Sequence, residues 1–398
     1  MHTYPRQKSV IRLYFGLLLT ELSVFAMEYV PQPLYNGISA EFGVGRSITG
    51  LLVSVCLFSL TVSPLFVGVV LDRVGVRRAL IWAACLLGAS SAGVLAARSF
   101  SQFLAVRAFQ AAFIPVVLTA VMTAISMLFR HMDLKRALAG YITASLAGSL
   151  LGRVGGGLIG QYLGWRLTVV LPCLLFLAGA CLIRKLPDSS SHAHGIHDPR
   201  LYARVLRQPG VGALLFAEAC GMFVFGALGN LLPFRMAELG HAGEGVIGFM
   251  YAGYSIGLAA SVLLRPLRSL LGKTSRLLLF GMGFYLLAIV PMAFPSAGIM
   301  FAGMWLVAFG QFVVHTLCPG IITALAMRSK ECERSMVSGL FLSCTYFGGL
   351  LGSFLPGIVY GRMGWTACYA CLQLALAAGF AAVVYVCAGK NLIDSAGG

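Results

Sequence analysis

Gly68-Val69-Val70-Leu71-Asp72-Arg73-Val74-Gly75-Val76-Arg77-Arg78 is a short charged stretch between two long apolar runs. Residues 48–71 before it and 79–97 after it hold no Lys or Arg, and Asp72 is the first acid met after Glu41. A membrane-crossing helix needs about 20 mostly apolar residues, and both runs reach that length. The link between them is too short for anything but a turn, so the stretch reads as the tip of a hairpin of two spans. Gly75 suits a tight turn because it takes positive φ without strain. Asp72 at a helix end can hold a cation or the positive N-terminus of another helix. Arg73, Arg77 and Arg78 anchor such a loop on the side of the membrane where basic residues collect.

Apolar runs of similar length recur at about 12–35, 48–71, 79–97, 102–127, 137–160, 166–183, 210–234, 246–264, 277–294, 298–326, 337–359 and 366–388. They predict an all-α membrane protein of twelve transmembrane helices. The chain is 59% hydrophobic and 11% charged over 398 residues, with a mean hydropathy of +0.89. A soluble domain carries roughly 25% charged residues, so bilayer rather than water is the natural solvent. The first run is long and lacks a small-residue cleavage pattern, so it is expected to remain as the first span. Of the 29 Lys and Arg, Arg46, Arg98, Arg166, Arg235 and Arg362 fall on one side, and Arg107 and Arg153 fall within spans. The rest crowd the side that carries both termini, which predicts an inner-membrane protein with both termini cytoplasmic. That bias accounts for the net charge of +16, and no nucleic-acid partner is needed to explain it. Nearly all 11 Cys lie in apolar spans, where they serve as small, soft packing residues. Cys368 and Cys371 form a CxxC inside a span with no second pair, so neither a metal nor a cofactor is expected.

The chain matches itself at a shift of 200: Thr123-Ala124 with Thr323-Ala324, Gly148 and Gly152 with Gly348 and Gly352, Gly157 with Gly357, and Gly164-Trp165 with Gly364-Trp365. Pro33 matches Pro233, Phe109 matches Phe309, and Asp133 matches Glu333. A single ungapped offset across several spans predicts two pseudo-symmetric six-helix bundles, 1–183 and 209–398. The polar stretch 184–208 has linker composition. Its His192, His194 and His197 read as part of a solvated loop rather than a metal site. Two parallel repeats about a midplane site is a transporter architecture.

These features resemble the major facilitator superfamily. Gly68, Asp72, Arg73, Gly75, Arg77 and Arg78 stand at positions of that family's signature loop, with Val76 where a basic residue is frequent. The resemblance implies that Asp72 latches one half to the other when the cytoplasmic side is shut. The second copy, Arg265 to Arg276, keeps Gly272 and basic residues without the Asp-Arg pair. Gly148 to Gly157 is similar to the antiporter signature of the family's drug-efflux members, with Arg153 in place of Pro. Gly148, Gly152, Gly156 and Gly160 fall on one helix stripe, where small residues let two backbones approach. The eleventh span has a comparable row at Gly349, Ser353, Gly357 and Gly361. Arg107 and Gln110 resemble the buried pair of the fourth-span motif, with Ala111 where Gly is usual. Family analogy places spans 1, 4, 7 and 10 around the cavity. It nominates Glu218, Asn230, Gln311 and His315, beside Arg107, Gln110 and Arg153, as cavity or substrate-binding residues.

An ionisable side chain inside a span is costly unless paired or hydrated. At about 1.5 Å per residue, Glu28, Arg107 and Arg153 share a layer on the order of 10 Å below the outer ends of their helices. Glu28 is therefore the expected partner of the arginines. Glu21 lies two turns away on the same face, with no cation at its own level, and is the carboxyl placed to gain and lose a proton. The expectation is a monomeric secondary transporter. It would couple protons through Glu21 and Glu28 to the efflux of a small, partly apolar solute by alternating access. The residue pattern leaves open uptake or exchange of an organic anion held by Arg107 and Arg153. No phosphate-binding loop is present in the sequence, so an ion gradient is the expected energy source. No nucleophile–base set or metal-ligand cluster points to an enzyme.

Overall fold

The computed structural model describes residues 7–63, 67–129, 134–187, 199–327 and 334–389. The linker histidines and the acids Asp133 and Glu333 lie outside those residues. Apolar runs form helices because bilayer offers backbone N–H and C=O groups no other partner. The order is α1 (Gln7–Tyr29), α2 (Tyr35–Phe42), α3 (Arg46–Val62), α4 (Val67–Val74), α5 (Val76–Ala96), α6 (Phe100–Leu128) and α7 (Leu134–Leu182). After α8 (Pro199–Arg207) come α9 (Val211–Glu238), α10 (Glu244–Met250), α11 (Ile256–Leu271), α12 (Thr274–Ala288), α13 (Ala297–Ala326) and α14 (Arg334–Ala388).

Among the described residues, eight helices are long and apolar enough to cross a membrane. Two of them, α7 and α14, are each a pair of helices joined at one residue, Gly164 with φ 73° and Gly364 with φ 80°. Both glycines occupy the left-handed region that side chains avoid, and each is followed by a tryptophan 6% exposed. The pairs α3 and α4, and α10 and α11, are shorter helices. The order accommodates the twelve expected spans. Large apolar side chains such as Trp82, Leu287 and Leu374 remain exposed on the outer faces, as a lipid-facing surface requires.

Packing follows the glycine rows. A Cβ on Gly152 would lie 2.7 Å from the Ala26 carbonyl, and one on Gly156 would lie 2.9 Å from the Val30 side chain. Gly148 and Gly160 face Leu22 and Leu34 in the same way. α7 thus rests on α1 and the turn that follows it every fourth residue, as close backbone approach demands. In α14 the row meeting α9 is Gly348 and Gly352, against Ala219 and Phe223. The expected row is shared: Gly226 of α9 approaches the Gly349 carbonyl and Ser353, while Gly349 also faces Leu57 and Gly357 faces Ser47, both of α3, and Gly361 meets nothing. Rotation by one residue, about 100° around the helix, moves contact from one neighbour to another. Gly157 meets Gly248 of α10, so the matched pair Gly157 and Gly357 both sit where N-terminal helices cross C-terminal ones.

Those crossings close one end of the molecule, opposite the end where α1 begins and α14 finishes. Asn230 of α9 lies at their centre. Its Oδ1 accepts from Gln32 Nε2 at 2.8 Å and Tyr35 Oη at 3.3 Å. Its Nδ2 donates to the carbonyls of Ser353 at 3.1 Å and Gly50 at 3.4 Å. Asn36 Nδ2 donates to the Pro233 carbonyl at 3.0 Å, and Arg46 pairs with Glu238 at 2.5 Å. A kinked Pro31-Gln32-Pro33 turn between α1 and α2 places Gln32 for this role.

Candidate functional site

A cavity of about 450 Å³ lies below the closure, walled by α1, α3, α6 and α7 on one side and α9, α13 and α14 on the other. It runs from Arg153 and Tyr29 toward Thr119 and Met122, near the other end of α6. Arg153, Gln311 and His315 line it. Glu21, Glu28, Arg107, Gln110 and Glu218 are fully buried beside it, and Asn230 belongs to the closure.

Among the described residues, Arg107 is the largest fully buried side chain. Its Nε donates to the Leu52 carbonyl at 3.4 Å. Nη1 donates to the Met27 carbonyl at 3.1 Å and to Gln110 Oε1 at 2.8 Å. Nη2 donates to the Glu28 carbonyl at 3.2 Å and to Cys56 Sγ at 3.3 Å. A guanidinium has five N–H donors, and these contacts use them all. Gln110 Nε2 in turn donates to Ser90 Oγ at 2.8 Å. Arg107 therefore ties α1, α3 and α6 together, and its donors are committed within the protein.

The expected ion pair between Glu28 and the arginines does not form. Glu28 contributes its backbone carbonyl to Arg107, and among the described residues its carboxyl oxygens have no hydrogen-bond partner. Depth along a helix is legible from rise per residue, but direction around it depends on the neighbours. Arg153 turns to Gln32, donating from Nε to Oε1 at 2.6 Å, and from Nη1 to the Ser149 carbonyl at 3.2 Å and to its hydroxyl. Its Cζ lies 3.7 Å from the centre of the Tyr29 ring and 4.7 Å from that of Tyr254, within the range of cation–π attraction.

Two buried carboxyls touch the cavity wall through an intermediary. Ser145, which lines the cavity, donates to Glu21 Oε1 at 2.7 Å, while Oε2 has no partner among the described residues. On the other wall, His315 Nδ1 meets Glu218 Oε1 at 2.6 Å, and Gln311 Nε2 donates to the same oxygen at 3.3 Å. His315 and Gln311 are one turn apart on α13, and the pattern of types was legible, but their convergence on Glu218 was not.

The loop residues stand at the opposite end. Asp72 and Arg73 are exposed in the last turn of α4, and Gly75, with φ 85°, precedes α5. Arg77 is half-buried and Arg78 exposed. Gly68 lies in the first turn of α4.

Sequence reading missed the closure residues Gln32, Tyr35, Arg46 and Glu238, the cavity residue Ser145, and Tyr254 beside Arg153. A polar side chain between two prolines, Pro31-Gln32-Pro33, was the one local signal that marked any of them.

The family model of the Major Facilitator Superfamily matches residues 17–326. An Escherichia coli protein described as inner membrane transport protein YnfM is 25% identical over 375 residues, covering 92% of this chain and 88% of that protein. The fold is similar to a crystal structure of NupG, a nucleoside transporter, at a TM-score of 0.75 and 12% identity over 94% of this chain and 99% of that one. It is also similar to a bacterial homologue of the human lysosomal transporter Spinster, in an inward-facing, unoccupied conformation. That TM-score is 0.69, at 16% identity over 98% of each chain.

Proposed function

We propose that this chain, which belongs to the Major Facilitator Superfamily and is a membrane transporter rather than an enzyme, couples proton movement to the efflux of a small, partly apolar solute. In this reading residues 1–183 and 209–398 are two bundles joined by the linker 184–208. They rock about the central cavity of a monomer in the inner membrane, with both termini cytoplasmic. The naming of the Escherichia coli relative supports the inner-membrane placement, and the antiporter-like Gly148–Gly157 stripe supports efflux.

The observation that carries proton coupling is Glu21. It is fully buried, makes no ion pair among the described residues, and reaches the cavity through Ser145. A carboxyl inside a span that faces a cavity is a natural proton carrier. Glu218 with His315 is the second group of this kind, and Glu28 is placed to feel the charges of the arginines.

The test is purified protein in liposomes with an imposed pH gradient, screened for substrate-linked proton flux with a pH dye inside the vesicles. Substrate accumulation that follows the proton gradient supports the reading. Equilibration of the solute that ignores the gradient would overturn proton coupling and leave facilitated transport.

A further inference from the structure

We propose that the solute is an organic anion whose acidic group is held by Arg153, a proposal that rests on the central cavity being the transport site. Among the described lining residues, Arg153 and His315 are the basic side chains, and none is Asp or Glu. Glu21, Glu28 and Glu218 are all fully buried behind the wall. Arg107, the other cation of this layer, has every donor committed to carbonyls, Gln110 and Cys56.

Arg153 differs in one respect. Its Nε and Nη1 bond Gln32 and Ser149. Its Nη2 donates to no atom among the described residues, and the residue lines the cavity. The side chain is only 4% exposed and is held by Gln32, Ser149 and the rings of Tyr29 and Tyr254. Such a fixed, half-satisfied guanidinium suits a carboxylate, since charge-assisted hydrogen bonds are stronger than neutral ones and Arg loses little freedom in making them. A cationic solute would meet like charge there and no facing carboxylate. Phe225 and Phe312 stand beside Arg153 and offer an apolar surface to the body of the molecule. The class that fits is a small amphipathic monoanion with an aromatic or aliphatic body.

The experiment compares three probes of one shape and different charge: indole-3-acetate, indole-3-acetamide and tryptamine. Binding to the purified full-length protein is measured by calorimetry, and proton-linked flux of each is measured in liposomes. Indole-3-acetate should bind at least about tenfold more tightly than the other two, a ratio within reach of one charge-assisted contact. Arg153→Gln should erase the preference, and Arg153→Lys should keep its sign while reducing it, since Lys retains charge without the fork. Arg153→Gln could disturb the Gln32 and Ser149 contacts, so the wild-type comparison decides on its own. Equal or tighter binding of the amide or amine, no binding of the anion, or an unchanged preference in a folded Arg153→Gln would overturn the proposal. Proton flux driven by tryptamine without indole-3-acetate binding would sink the anion and leave proton-coupled transport standing. Indole-3-acetate binding without proton flux would do the reverse.

Discussion

Glu21 and Glu28 lie two turns apart on α1, yet their surroundings give them different work. Glu21 accepts a hydrogen bond from Ser145 on the cavity wall. Glu28 has the backbone carbonyl that serves Arg107 and a carboxyl with no hydrogen bond among the described residues. Glu21→Gln imitates the protonated acid and cannot release the proton. That variant is expected to fold and to exchange substrate for substrate, but to lose accumulation driven by a pH gradient. Substrate-linked proton release in detergent checks it, and normal release would remove Glu21 and leave Glu218 with His315 as the next site. Glu28→Gln is expected to act on stability instead, because Arg107 and Arg153 are cations buried near it. Removing one partner of a directly bonded buried pair costs about 3–5 kcal/mol; with no direct bond here the loss should fall below that range, read as a lower unfolding temperature in detergent. An unfolding temperature equal to wild type would mean that the arginines need no countercharge from Glu28. The sequence displayed all four of these charged residues, since each interrupts an apolar run. It did not display their partners, because the acceptors of Arg107 are mainly carbonyls of Met27, Glu28 and Leu52, and a carbonyl leaves no mark in a sequence.

Glycine rows set how α7 meets α1 and how α14 meets α9 and α3. Spacing by four announced the α7 row, and the shift of 200 announced its counterpart, Gly348 and Gly352. The neighbouring row Gly349, Ser353 and Gly357 read equally well from spacing, and only packing places it between α9 and α3. Period fixes which residues share a face, but which helix covers that face is a tertiary matter. The two Gly-Trp turns were legible as a repeat but not as corners, because a glycine in an apolar run reads equally well as a packing residue. Gly152→Leu tests the contact. A Cβ alone would lie 2.7 Å from the Ala26 carbonyl, and overpacking of a tight core costs about 1–3 kcal/mol or more. Reduced monodisperse yield and reduced transport are expected together. Gly155→Leu, whose Cβ would meet nothing within 4 Å, should leave both near wild type. Equal behaviour of the two variants would show that close approach at Gly152 is not required.

Alternating access asks that the two ends of the cavity close in turn, so the contacts that hold the closed end must be strong enough to form and weak enough to break. Asn230 makes four hydrogen bonds there, three of them to residues of α2, α3 and the Gln32 turn. At about 0.5–1.5 kcal/mol net for each bond, loss of the three that cross removes roughly 1.5–4.5 kcal/mol from the closed arrangement. Since about 1.4 kcal/mol is a tenfold change in an equilibrium, that is enough to move a two-state population by more than tenfold. The pair Arg46–Glu238, about a third exposed on both sides, adds no more than about 1 kcal/mol after screening by solvent. Asn230 is therefore the residue to change. Asn230→Ala is expected to open this end, and Asp72→Asn, which removes the carboxylate of the resembling latch loop at the other end, is expected to favour keeping it shut. Spin labels at Ala40 and Ala242, both exposed beside the closure on opposite sets of helices, report the distance between them. The 11 native cysteines make genetically encoded labels preferable to thiol chemistry. Asn230→Ala should move weight toward longer distances, Asp72→Asn toward shorter ones, and the double variant should return near wild type, because sites at opposite ends that share no partner add independently. A distance distribution unmoved by Asn230→Ala would mean that the closure is held elsewhere, by crossings such as Asn36–Pro233, Arg46–Glu238, Gly157–Gly248 and Gly357–Ser47. One unmoved by Asp72→Asn would end the latch role for that loop in this protein.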